Sequence, residues 1–66
     1  MRVKINGQDM DVRDEITVRE LLRELKIEDK TMAVAINLQV VKKEDWDSRK
    51  IKENDRVEFL TFVGGG

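Results

Sequence analysis

Arg56-Val57-Glu58-Phe59-Leu60-Thr61-Phe62-Val63-Gly64-Gly65-Gly66 is the stretch that decides the fold. Val57, Phe59, Thr61 and Val63 fall on one side of a period-two pattern, with Glu58, Leu60 and Phe62 on the other. A strand this apolar belongs inside a sheet, and Glu58 marks its outward side. The inward residues Val57 and Phe59 are then expected to pack against a helix. The outward residues Leu60 and Phe62, followed by Val63, become an apolar, partner-binding approach to the glycines.

The glycines follow Phe62-Val63 with no polar spacer, so the tail Gly64-Gly65-Gly66 reads as part of the domain rather than as a loose linker. Glycine lacks a Cβ, which makes the tail thin and conformationally permissive. Four extended residues from Val63 onward reach roughly 13 Å. The expected organisation is one domain over residues 1–63 and a flexible tail over 64–66, ending in the α-carboxylate of Gly66.

Working outward, the chain opens with a hairpin whose register can be tested on paper. Asn6-Gly7 suits the two-residue turn in which both positions take positive φ. Ile5 then faces Gln8, Lys4 faces Asp9, Val3 faces Met10 and Arg2 faces Asp11. Directly opposed residues share a face, so Val3, Ile5, Met10 and Val12 collect on one side. Arg2 and Lys4 meet Asp11 and Asp9 on the other.

A helix follows with a clear start. Thr17 and Glu20 form a capping box, and Ile16 and Leu21 occupy the positions of a hydrophobic staple. Val18, Leu21, Leu22 and Leu25 make one apolar stripe, and the helix is expected to end near Lys26. Beyond it, Met32-Ala33-Val34-Ala35-Ile36 reads as a strand buried centrally. Asn37-Leu38 turns it into Gln39-Val40-Val41-Lys42. Lys43 to Ser48 suit a single helical turn, Trp46 a plug at the core's edge, and Asn54 a turn that needs a left-handed residue. This order predicts an α+β fold, a mixed sheet of four or five strands on one helix. The first and last strands are parallel neighbours at the centre.

Composition narrows the function. The chain has 66 residues, no cysteine and no histidine. Thiolate chemistry, Cys-based metal sites and the usual neutral-pH base are therefore excluded. Thirteen basic and fourteen acidic residues are interspersed, which leaves no footprint for nucleic acid or an anionic membrane. Met1-Arg2-Val3-Lys4 does not read as a signal peptide, so the expected compartment is the cytoplasm. The carboxylates are scattered without a base or metal partner, so no catalytic residue is assigned.

Ala35-Ile36-Asn37 before Val40-Val41, the Glu44-Asp45-Trp46 turn and the Phe62-Val63-Gly64-Gly65-Gly66 ending resemble the ThiS family of sulfur carriers over essentially the whole chain. Asn54 departs from the glycine frequent there in the family. The resemblance implies a ubiquitin-like β-grasp fold and a carrier that is not itself an enzyme. The Gly66 carboxylate would be adenylated by a ThiF-type enzyme and converted to a thiocarboxylate with sulfur from a donor protein. It would then be used by a ThiG-type thiazole synthase in thiamine biosynthesis. The chain would bind no cofactor, ATP being held by the activating partner, and would be monomeric when free. A carrier for another pathway (molybdopterin or amino-acid type), a ubiquitin-like modifier and a passive interaction module remain as alternatives.

Overall fold

The computed structural model describes residues 1–62. Five strands form one sheet: β1 (Arg2–Ile5), β2 (Gln8–Asp11), β3 (Thr31–Ile36), β4 (Gln39–Val41) and β5 (Arg56–Thr61). They lie in the order β2-β1-β5-β3-β4. β5 runs parallel to β1 and antiparallel to β3, so the last strand is the central one. The single α-helix, α1 (Val18–Glu24), covers one face. This is the mixed sheet on one helix that the sequence predicts, with the five-strand count settled.

The first hairpin has the expected register, Ile5 opposite Gln8 through Arg2 opposite Asp11. Asn6 and Gly7 take φ of 48° and 85°. The Asn6 side chain does a second job, since its Oδ1 accepts the backbone N–H of Phe59 at 2.8 Å. It thereby satisfies a β5 donor just past the end of β1.

The helix starts as read. The Thr17 hydroxyl accepts from the Glu20 N–H at 3.2 Å, and the Glu20 carboxylate accepts from the Thr17 N–H at 2.9 Å. The next free donors, Val18 and Arg19 N–H, reach the carbonyls of Arg49 and Trp46, which pins the 46–49 loop to the helix start. The helix stop is slightly earlier than expected. Glu24 is the last helical residue, and Lys26 takes a left-handed φ of 60°. Lys26 N–H bonds to Arg23 O and Ile27 N–H to Leu22 O, a Schellman motif built without glycine. Ile27 is thereby turned back onto the core.

Between helix and sheet lie Val18, Leu21 and Leu22 against Val3, Ile5, Val34, Ile36, Val41 and Val57, all buried. Leu25 and Phe59 pack at the periphery. Trp46 follows a short 3-10 turn (Lys43–Asp45) and is 1% exposed. Its indole N–H donates to Val41 O at 3.0 Å, so the plug reading holds. No described helix is long and apolar enough to cross a membrane.

One expectation needs correction. The run Met32 to Ile36 reads as buried, and β3 is indeed an interior strand, but only its helix-facing side is covered. Val34 and Ile36 are buried, whereas Met32 is 65% exposed. A register irregularity between Thr31 and Ala33 accompanies that exposure, and one helix leaves the other face of the sheet open.

Candidate functional site

The open face divides into two halves. On β1 and β2 it is charged and internally paired, with Arg2 on Asp11 at 3.1 Å and Lys4 on Asp9 at 3.5 Å. On β5, β3 and β4 it is mostly apolar. Cross-strand register sets Ala33 beside Leu60, and Ala35 between Glu58 and Val40. Leu60 and Phe62 are 62% and 63% exposed. Val57, on the other side of the same strand, is fully buried. The period-two assignment of β5 is therefore correct as far as Phe62.

Phe62 is held in place although its side chain is exposed. Its N–H donates to Lys30 O at 2.6 Å, anchoring the end of β5 to the loop before β3. Val63, Gly64, Gly65 and Gly66 lie outside the described residues, as does the domain boundary expected after Val63. Two of the three partner-binding residues read from the sequence, Leu60 and Phe62, thus share one exposed face beside the start of the tail.

Sequence reasoning missed other members of this surface. Ala33, Ala35, Met32 and Val40 extend the apolar area across β3 and β4. Val40 was legible from its position opposite Ala35, but only once the second hairpin's register was fixed. Leu38 also projects, at 78% exposed and with φ of 69°. Asn37 clamps this turn. Its amide donates to the Asp55 carboxylate and its oxygen accepts from Arg56 N–H, both at 3.0 Å. Buried Asp55 also accepts from Lys52 N–H at 2.8 Å.

Displaced ionisation is confined to the helix and loops. Hydrogen bonding to the Thr17 backbone holds Glu20 below the ordinary carboxylate range. Asp47 raises Arg19 and Glu15 raises Lys50. Among the described residues no cluster of potential metal ligands occurs. An apolar, exposed surface of this kind does recognition chemistry.

A central strand that is buried on one side, exposed and apolar on the other, and continuous with a terminal segment defines a β-grasp domain with a docking face. The sequence matches the ThiS family over residues 3–66, and the chain belongs to that family. It is similar to the sulfur carrier protein ThiS of Escherichia coli, 32% identical over the full length of both. It is 31% identical to the sulfur carrier protein ThiS of Bacillus subtilis, over 97% of this chain and 98% of that one. It is also 33% identical to part of a thiazole synthase of Paramagnetospirillum magneticum. All of this chain is matched there, but it spans 20% of that protein's length. The crystal structure of the thiamine biosynthesis protein ThiS from Geobacter metallireducens superposes with a TM-score of 0.83 at 36% identity, covering both chains fully.

Proposed function

We propose that this chain is a sulfur carrier for thiamine biosynthesis, with the sulfur carried on the carboxyl group of Gly66. The observation that supports it most is the membership over residues 3–66 combined with the exposed Leu60 and Phe62 on the strand that leads to the glycines. A carboxylate resists nucleophiles because its charge is delocalised over two oxygens. Attack of that carboxylate on the α-phosphorus of ATP releases pyrophosphate and leaves an acyl-adenylate, which has a good leaving group. A persulfide sulfur from a donor protein then displaces AMP. Cleavage of the resulting S–S bond by a thiol frees the thiocarboxylate.

The chain supplies the carboxylate and the recognition surface, not the catalyst. It has no cysteine or histidine, and no Gly-rich phosphate loop opens a helix in its sequence. ATP is accordingly held by a ThiF-type adenylating enzyme, and the chain needs no cofactor of its own. A ThiG-type thiazole synthase takes the sulfur, and the setting is the cytoplasm. Leu60, Phe62 and Val63 dock against these partners, while Gly64 and Gly65 thread a channel too narrow for side chains.

ATP–pyrophosphate exchange with the cognate adenylating enzyme tests the activation. Exchange should be lost on deleting Gly65-Gly66 and slowed by Gly65→Ala. Mass spectrometry of the protein from its own host should show one oxygen replaced by sulfur at Gly66. Undiminished exchange after the deletion would sink the proposal, and a lysine conjugate in place of the thiocarboxylate would turn it toward a protein modifier.

A further inference from the structure

The open face carries one concave feature. Ala33 and Ala35 lie between Leu60 and Glu58 of β5 on one side and Val40 of β4 on the other. Their single methyl groups leave a trough of about 270 Å³. A dry apolar cavity of roughly 150 Å³ accepts benzene, so this space takes one large apolar side chain. It runs beside Leu60, two residues before Phe62, and is continuous with the surface that leads to the tail.

The trough's charge is unbalanced in a way the rest of the face is not. Asp9 and Asp11 on the same face each have a cation within ion-pair distance. Glu58 is exposed at the trough's edge, and among the described residues it has no ion pair. An apolar floor with one uncompensated carboxylate is complementary to a large apolar side chain next to an Arg or Lys. Charge complementarity of this kind chiefly sets register and partner choice.

We propose that the trough is the seat of a thiazole synthase, which inserts one large apolar side chain over Ala33 and Ala35 and sets a cation against Glu58. The occupant is argued from the Paramagnetospirillum thiazole synthase, whose single chain includes a stretch similar to all of this one. Covalent linkage of two units raises their effective concentration for each other, an arrangement suited to units that dock. The inference rests on the sulfur-carrier reading and adds the residues that would choose the partner.

Binding of the full-length chain to its cognate thiazole synthase, by calorimetric titration at two salt concentrations, tests it. Ala35→Leu fills the trough and should weaken binding ten-fold or more. Glu58→Gln should weaken it several-fold and flatten its salt dependence, while Asp11→Asn on the paired half should change neither. Thermal melts confirm folding, and Glu58→Gln keeps the test decisive if Ala35→Leu does not fold. Wild-type affinity in both trough variants overturns the proposal, as does failure of the wild-type chain to bind the synthase. Loss of ATP–pyrophosphate exchange with intact synthase binding in those variants also overturns it, by assigning the trough to the adenylating enzyme. In each of these cases the mass of Gly66 from the native host decides separately whether the sulfur-carrier reading stands.

Discussion

The two faces of the sheet are built from the same strands and differ in what covers them. On the helix side, Val34, Ile36 and Val57 are buried beneath Val18, Leu21 and Leu22. On the other side, Ala33, Ala35, Leu60 and Phe62 belong to the same two central strands and have no helix over them. Strand propensity is similar on both sides, so it does not separate them. The difference shows that apolar character has two causes in this chain. On one face it holds the fold together, and on the other it is available to a partner.

The sharpest way to break that comparison is to truncate one residue from each face. Leu22→Ala, beneath the sheet, should cost about 2–5 kcal/mol. A domain of this length has roughly 3–10 kcal/mol of stability in total, so the variant should be largely unfolded on warming, as circular dichroism would show. Full stability in Leu22→Ala would mean that the helix does not hold the covered face.

Phe59 and Phe62 repeat the test within one strand. Phe59 is only partly covered, so Phe59→Ala should cost about 2–3 kcal/mol, below the range for a fully buried phenylalanine. Phe62→Ala should change the melting temperature little and weaken binding to the adenylating enzyme or the thiazole synthase about ten-fold, or ~1.4 kcal/mol. Melts and partner titrations on the two variants give the answer. Reversed results would exchange the roles of the two faces.

What the sequence revealed follows the same division. β5 alternates Val57, Glu58 and Phe59, so a charged residue breaks the apolar run and identifies its faces. Asn6-Gly7 and the pairing of Lys4 with Asp9 agree on one register for the first hairpin. The helix start is spelled out by Thr17 and Glu20. From Met32 to Ile36 both faces are apolar, so period two has no contrast to act on. The trough over Ala33 and Ala35 was hidden for that reason. The clamp of Asn37 on Asp55 joins residues 18 apart in sequence, and no local pattern announces it. Left-handed Lys26 and Leu38 were equally silent, because the usual markers of that conformation are glycine and asparagine.

Leu38 offers a test at the edge of the open face. Its turn has the same form as Asn6-Gly7, with both residues at positive φ, but places leucine where the first hairpin has glycine. A left-handed conformation costs a residue with a Cβ roughly 1–2 kcal/mol. Glycine gives back about 0.5–1 kcal/mol of that through its freer unfolded chain. Leu38→Gly should therefore raise stability by about 0.5–1 kcal/mol, measured by urea melts. If the exposed side chain also touches a partner, the same variant should be more stable and bind less tightly. A destabilised Leu38→Gly would show that Leu38 contributes to the fold.

The smallest expected effect concerns the cover of the buried face. Glu20 closes the capping box of α1, and the Thr17 backbone N–H is the main cause of its lowered pKa. Burial opposes that shift, while the Thr17 hydroxyl, Arg13 and Arg23 support it. Because the folded value lies below the unfolded one, the stabilisation is present above the ordinary glutamate range, about pH 4.3. It fades as pH falls through the folded value, since the unfolded chain takes up the proton first. Glu20→Gln keeps an acceptor oxygen for Thr17 but removes the titration. It should be slightly less stable than wild type at neutral pH, and the gap should close on acidification. Trp46 lies beneath the loop that α1 pins, so its fluorescence reports loosening on the covered side. Urea melts followed by that signal from neutral pH to below 4 should converge. Parallel curves over that range would show that the capping box does not couple the helix cover to pH.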